Sequence, residues 1–130
     1  MTDATNIAVV RRFYDGLGAP DTIGQLLSPT VRYEIVPGFP YSDVYVGWDS
    51  IMRDFFGRLL QDFEDWRTEV SELIEAGDRV FALGTYSARA KATGKTFTAR
   101  FSHVWTLQGG MIVRLQQCAD TVQLARALES

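Results

Sequence analysis

Asp120, His103 and Tyr33 are the residues of this chain whose types best suit proton transfer. Two of them fall in one stretch, FTARFSHVWTLQGGMIVRLQQCADTVQLA, which runs from Phe97 to Ala125. Asp120 stands where a strand gives way to a helix. In a partly buried position its pKa would rise toward neutrality and suit a general acid or base, whereas at a solvated helix end it is only a carboxylate favoured by the helix dipole. His103 is the chain's one histidine. Imidazole is the side chain whose unperturbed pKa lies near neutral, so it suits a relay, or a hydrogen-bond donor to a developing enolate; the plainer alternative is a hydrogen-bonded core residue. Tyr33 alternates with Glu34 along a short strand, and its ring with a phenol tip is the better of the two for lining an apolar pocket and orienting a polar ligand group.

The elements that must hold these groups follow from periodicity. Asn6 to Leu17 places Ile7, Val10, Tyr14 and Leu17 at helical spacing, with Val9 and Phe13 widening the stripe. Pro20 and Asp21 start a short second helix that runs to Leu27, because Ser28 precedes Pro29 and avoids helical angles. A strand follows from Thr30. Asp49 or Ser50 caps a third helix, with Met52, Phe55, Phe56 and Leu59 on one face. Four β segments come next, roughly Trp66 to Ile74, Val80 to Ala90, Lys95 to Leu107 and Met111 to Ala119, joined at Gly77-Asp78, Thr93-Gly94 and Gly109-Gly110. Thr121 caps a last short helix. Helices segregated against a largely antiparallel sheet make an α+β fold in one domain spanning residues 1–130. If Gly109-Gly110 is a two-residue turn, His103 lies opposite Gln116 and Trp105 opposite Arg114, and Asp120 shares their face.

Composition narrows the function. The chain has 130 residues, 46% of them hydrophobic, and a formal charge of -3 without a basic run, which excludes a phosphate-neutralising surface for nucleic acid or an anionic membrane. No apolar run reaches the ~20 residues that span a bilayer, and the N-terminus has no signal-peptide core, so a cytoplasmic protein is expected. One cysteine and one histidine give no metal-ligand spacing, and neither a metal nor another cofactor is expected. Cys118 reads as a small buried apolar residue, and Trp48 and Trp66 read as core or interface residues.

The order of elements and three local patterns, VVRRFYDGL, GWDSIMRDFFGRL and HVWTLQGGMIVRLQQCADT, resemble the nuclear transport factor 2-like superfamily over nearly the whole chain. They are closest to its SnoaL-like, ketosteroid-isomerase-related polyketide-cyclase branch. The resemblance implies a cone-shaped, curved antiparallel (mixed) sheet wrapped around three N-terminal helices, a short C-terminal helix, and a homodimer. By the same resemblance, Phe13 stands where steroid isomerases place an oxyanion tyrosine, Ile35 and Val36 where they place the base, and Ser102 where they place a second oxyanion acid. Epoxide-hydrolase-like members carry Arg-x-Asp where this chain has Gly84-Thr85-Tyr86, while Asp120 and Tyr33 match two of their groups. Placing Ser102 in the cavity implies the opposite face from His103, and a β-bulge would reconcile the two.

The reading that results is an enzyme performing proton transfer on an apolar, carbonyl-bearing or polycyclic small molecule, of isomerase or cyclase type. Asp120, His103 and Tyr33 are its catalytic residues, and Tyr14, Phe39, Tyr41, Phe55, Tyr86, Ser102, Trp105 and Gln117 line its ligand site. The alternatives are a non-catalytic binder of small hydrophobic ligands on the same cone, an epoxide-hydrolase-like enzyme with an altered site, and a dimerisation module. Pro37 to Gly47, with two prolines and three aromatics, is expected to close the cone as a lid. Apolar residues on both faces of the last two strands, with Phe97, Phe101, Trp105 and Leu107 on one and Val104, Val113 and Leu115 on the other, support the homodimer.

Overall fold

A computed structural model describes residues 5–129. Helix α1 (Asn6–Asp15) is capped by the Thr5 hydroxyl, which accepts from the Ala8 amide, and it buries Val9, Val10 and Phe13. Two 3₁₀ turns, Pro20–Thr22 and Gly24–Leu26, replace the expected second helix. Strand β1 (Leu27–Ile35) starts earlier than expected and takes in Pro29. The 37–47 segment is not loop throughout, because Val44–Val46 forms a short edge strand, β2, antiparallel to β1.

The next helical run begins at Trp48 with Gly47 as its N-cap, so neither Asp49 nor Ser50 fills that role. It comprises α2 (Trp48–Ser50), a π-helical stretch Ile51–Phe56 and α3 (Gly57–Asp62). Strands β3 (Phe63–Ala76), β4 (Arg79–Ala90), β5 (Thr96–Gln108) and β6 (Met111–Ala119) follow, and α4 (Thr121–Leu128) ends the described chain. Asp120 occupies the N-cap of α4 without a side-chain capping bond, and Thr121 is already helical. Among the described residues no helix is long and apolar enough to cross a membrane.

The six strands form one open mixed sheet in the order β2-β1-β6-β5-β4-β3. All neighbours are antiparallel except β1 and β6, which run parallel. The β5–β6 connection is a two-residue turn, with Gly109 at φ 58° and Gly110 at φ 79°, angles that suit glycine and match the twist of a hairpin.

Register shifts decide which side chains face inward, and besides one in β1 between Leu27 and Arg32 they fall in β6 and β3. In β6 the pairing moves from Leu107 opposite Ile112 to Thr106 opposite Arg114, so Val113 is an extra residue. In β3 one shift falls between Glu64 and Arg67, at Asp65 (φ 56°), and another between Val70 and Glu72. A bulge inserts one residue, and with a side-chain period of two it exchanges the faces of everything beyond it. Ile112 and Leu115 are therefore both buried, and Phe63 and Trp66 share one side, their rings 5.6 Å apart. Continuous alternation would have sent one member of each pair to solvent.

Gly84 of β4 sits against the second β3 bulge. A Cβ there would overlap the Glu69 carbonyl oxygen and lie 2.7 Å from the Phe101 ring, so the strands would have to part. Gly84→Ala is expected to destabilise the protein by about 1–3 kcal/mol. The lowered midpoint should appear in urea unfolding, and an unchanged midpoint would show that this close approach is relaxed.

Candidate active site

The side chains that alternate toward the inside of β5 are Phe97, Ala99, Phe101, His103, Trp105 and Leu107, all buried. His103 lies in the middle of this row, 4% exposed, and both ring nitrogens are engaged. The Tyr14 hydroxyl from α1 is 2.5 Å from Nδ1, and the Tyr86 hydroxyl from β4 is 2.5 Å from Nε2. Each phenol oxygen also accepts a second donor. Trp105 Nε1–H donates to Tyr14 at 2.8 Å, and Gln117 Nε2–H donates to Tyr86 at 3.3 Å. The Gln117 amide is held in that orientation because its Oε1 accepts the Val36 amide at 3.2 Å.

The result is a buried chain from Trp105 through Tyr14, His103 and Tyr86 to Gln117. Its aromatic rings also pack: Phe101 stacks on His103 at 4.1 Å and on Tyr86 at 4.4 Å. Burial disfavours every charged form here. It lowers the His103 pKa to about 3, so the imidazole is neutral, and it pushes Tyr14, Tyr86 and Tyr33 up.

Beside this chain lies a cavity of about 30 Å³, lined by Tyr14, Tyr33, Phe39, Phe55, Tyr86, His103 and Gln117 among others. It adjoins a wider chamber of about 260 Å³ between the end of α1, the 48–62 helical run and β3, where Trp48, Met52, Leu60 and Pro20 form the outer wall. Tyr14, Leu17, Phe56, Leu59, Trp66 and Thr68 line both. Among the described residues no Asp, Glu, Lys or Arg lines either one. Tyr33 packs against Phe55, Phe56 and Trp105, and its hydroxyl makes no hydrogen bond to another described residue. Glu34 points the other way and pairs with Arg114 through two bonds, 2.7 and 2.9 Å. Among the described residues, no group of three or more His, Cys, Asp and Glu is placed to hold a metal.

Of the residues expected at the site, Asp120, Ser102, Tyr41 and Trp105 line neither chamber, and the bulge at Val113 explains the first of them. His103 is opposite Gln117 and Trp105 opposite Leu115, one residue beyond the expected partners. Gln117 and Leu115 thus face the cavity, while Asp120, opposite in phase, is exposed and lines neither chamber. Ser102 lies on the outer face between its buried neighbours Phe101 and His103. Cys118, which the sequence suggested was buried, is exposed next to Ser102. Leu115 belongs to the core and not to the outer face with Val104 and Val113.

Tyr41 is half-buried in the 37–47 segment. There the Arg58 guanidinium lies 4.6 Å over its ring and the Tyr45 hydroxyl donates to its carbonyl. Of that segment only Phe39 reaches the inner cavity, and none of it lines the outer chamber, so it walls the inner end instead of covering the opening. The outer chamber's Met52, Leu60 and Thr68 were not singled out from sequence as site residues. The alternation of Trp66 with Thr68 was a usable signal for the last of these.

With this geometry in view, comparison with known proteins places the chain. The SnoaL-like domain family matches residues 10–115. The chain belongs to that family, within the nuclear transport factor 2-like superfamily. It is similar to an NTF2-like protein from Burkholderia thailandensis, with 30% identity, a TM-score of 0.93, and 97% of this chain and 98% of that one covered. It is also similar to TerC, co-crystallised with polyporic acid, with 27% identity, a TM-score of 0.86, and 96% and 98% covered. A SnoaL-like polyketide cyclase from Jannaschia, at 17% identity and a TM-score of 0.81 over 95% and 90%, shares the fold. A search of curated proteins found no match.

Proposed function

We propose that this protein is an enzyme of isomerase or cyclase type that moves a proton on an apolar, carbonyl-bearing or polycyclic small molecule. The observation that carries this reading is a buried imidazole held between two tyrosine hydroxyls at the wall of a cavity that no charged side chain among the described residues lines. A neutral network in an apolar site can give or take a proton at hydrogen-bond range, and fixed donors there act more strongly than in water. The Tyr33 side chain lines the cavity, its hydroxyl makes no hydrogen bond to another described residue, and it orients the ligand. TerC's co-crystallisation with polyporic acid supports a ligand-binding role for a chain of this fold.

Asp120 has no part in this chemistry, and Asp120→Asn is expected to leave turnover within about threefold of the native rate, since removing a true general base costs ~100-fold or more. A 100-fold fall would restore Asp120 to the site.

The test uses small cyclic ketones such as 2-tetralone in D₂O, with α-proton exchange followed by NMR. Exchange well above the buffer rate is expected. A panel from which no ketone raises the melting temperature would overturn the carbonyl class, and a ketone that binds but exchanges at the buffer rate would leave a binding protein.

We also propose a homodimer through the outer sheet face. Ile74, Phe81 and Val104 lie side by side across β3, β4 and β5, with Leu83 next to them. Ile74 is 46% exposed and Phe81 37%. An apolar row on the outside of a sheet needs cover. Light scattering at micromolar concentration should give twice the chain mass, and Phe81→Glu should give the monomer; a monomeric native protein would refute the proposal.

A further inference from the structure

Counting hydrogens in the buried network leads beyond the choice of site. Tyr14 and Tyr86 bring two hydroxyl hydrogens and a neutral imidazole brings one N–H, but only two hydrogen bonds join the three groups. One hydroxyl hydrogen is therefore always left over, and both tyrosines line the inner cavity. If Nε2 carries the ring hydrogen, it donates to Tyr86, Tyr14 donates to Nδ1, and the spare hydrogen belongs to Tyr86. If Nδ1 carries it, the spare hydrogen belongs to Tyr14. The second donors, Trp105 and Gln117, occupy one lone pair on each phenol and leave both arrangements satisfied.

We infer that Tyr14, His103 and Tyr86 form a two-way proton relay that converts a neutral, enolisable one- or two-ring ketone into its enol and back without forming a charged group on the protein. This rests on the proton-transfer reading above and extends it to the two tyrosines and the substrate class. In the forward step Tyr86 gives its spare hydrogen to the carbonyl oxygen and takes the Nε2 hydrogen. Nδ1 takes the Tyr14 hydrogen, and Tyr14 takes a hydrogen from the carbon next to the carbonyl. The C–H electron pair becomes the carbon–carbon double bond, and the carbonyl π pair becomes the new O–H bond.

The protein ends in the other tautomer with the spare hydrogen on Tyr14. Where the enol is conjugated with a second double bond, returning that hydrogen to the far carbon of the dienol, while the C=C pairs shift by one bond and Tyr86 recovers the enol hydrogen, resets the relay and releases an isomerised, conjugated ketone. Returning it to the first carbon regenerates the starting ketone. A stepwise route would place imidazolium or phenolate where burial disfavours each, with no opposite charge among the described residues that line the site.

The chamber sizes fit this class. The inner cavity, about 30 Å³, admits little more than a carbonyl oxygen, and the outer one, about 260 Å³, suits a small apolar ring system. The Trp105 bond to Tyr14 is shorter than the Gln117 bond to Tyr86, so Tyr14 is the more committed acceptor and the better donor to Nδ1. The resting tautomer is thus Nε2–H.

Because the chain has one histidine, its ring ¹⁵N spectrum is read without assignment between residues. The native protein at pH 7 should show Nε2–H and a bare Nδ1. Tyr14→Phe should keep Nε2–H, whereas Tyr86→Phe should switch the ring to Nδ1–H, since an unpaired acceptor costs less than an unpaired donor. Each single variant should lose 2-tetralone exchange by as much as the double variant does. An imidazolium in the native protein, the same tautomer in both variants, or losses that multiply in the double variant would overturn the relay. Switching tautomers without any ketone exchange would instead overturn the proton-transfer reading while leaving the network's two states intact. Exchange lost in His103→Gln, while Tyr14→Phe and Tyr86→Phe show one and the same ring tautomer, would leave proton transfer standing without the relay.

Discussion

His103→Gln is expected to slow ketone proton exchange by about 100- to 10,000-fold, the range over which a positioned acid–base group acts. Glutamine is close to the right size and can hydrogen-bond both tyrosines, so the cavity and its wall should survive. An amide cannot pass a hydrogen from one phenol to the other. Affinity for 2-tetralone, measured by the rise in melting temperature, should therefore change little while the exchange rate collapses. Loss of binding together with rate would mean that the imidazole only shapes the pocket. An unchanged rate would mean that the chemistry lies elsewhere.

Acid unfolding should show the second large effect. Burial holds the His103 pKa at about 3, below the 6.5 of an exposed imidazole. Between those values the unfolded chain binds a proton that the folded chain refuses, so the folded state loses ground as pH falls. The contribution is fully present above pH 6.5 and fades toward pH 3, at a slope approaching about 1.4 kcal/mol per pH unit and a total of about 5 kcal/mol. Against a typical total stability of about 5–15 kcal/mol this is large.

Glu34 adds to the same trend, because Arg114 holds its carboxyl below the usual range, but that pair lies on the opposite face of the sheet from His103 and is shared by the variant. The comparison is urea unfolding of the native protein and His103→Gln at pH 7 and pH 4. The native protein should lose markedly more stability than the variant across that interval. Equal losses would show that the imidazole accepts a proton in the folded state at little cost.

Much of the scaffold is written locally. The stripe from Ile7 to Phe13 defines α1, the paired glycines at 109 and 110 define a two-residue turn, and β6 begins at Met111 and ends at Ala119 as its composition suggests. Alternation along β5 also places Phe101, His103 and Trp105 on one face. What alternation alone cannot give is the face of any residue beyond a bulge. The inward positions of Gln117 and Leu115 and the outward positions of Asp120 and Cys118 all depend on Val113 being unpaired.

A local signal for these bulges was present. Apolar residues three apart inside a strand, as in Ile112 and Leu115 or Phe63 and Trp66, fit neither the period of two nor a turn, and a single inserted residue resolves the conflict. The parallel pairing of β1 with β6 and the π-helical stretch leave no such trace in local pattern. The first joins segments some 80 positions apart, such as Tyr33 and Leu115, and the second keeps the same apolar stripe as an ordinary helix.

The bulge at Val113 also makes β6 a strand whose interior is fixed by counting from the turn. Between Gly110 and Gln117 the number of residues, more than their identity, decides what meets His103. Deleting one codon there while the bulge persisted would bring Cys118 opposite the imidazole and send Gln117 outward, whereas deleting Val113 itself would remove the bulge and leave Gln117 in place. A family built on this sheet can thus exchange the functional group facing its central histidine by a change of length. Two relatives may differ at that position through a gap in the alignment, with no substitution at any residue that touches the cavity.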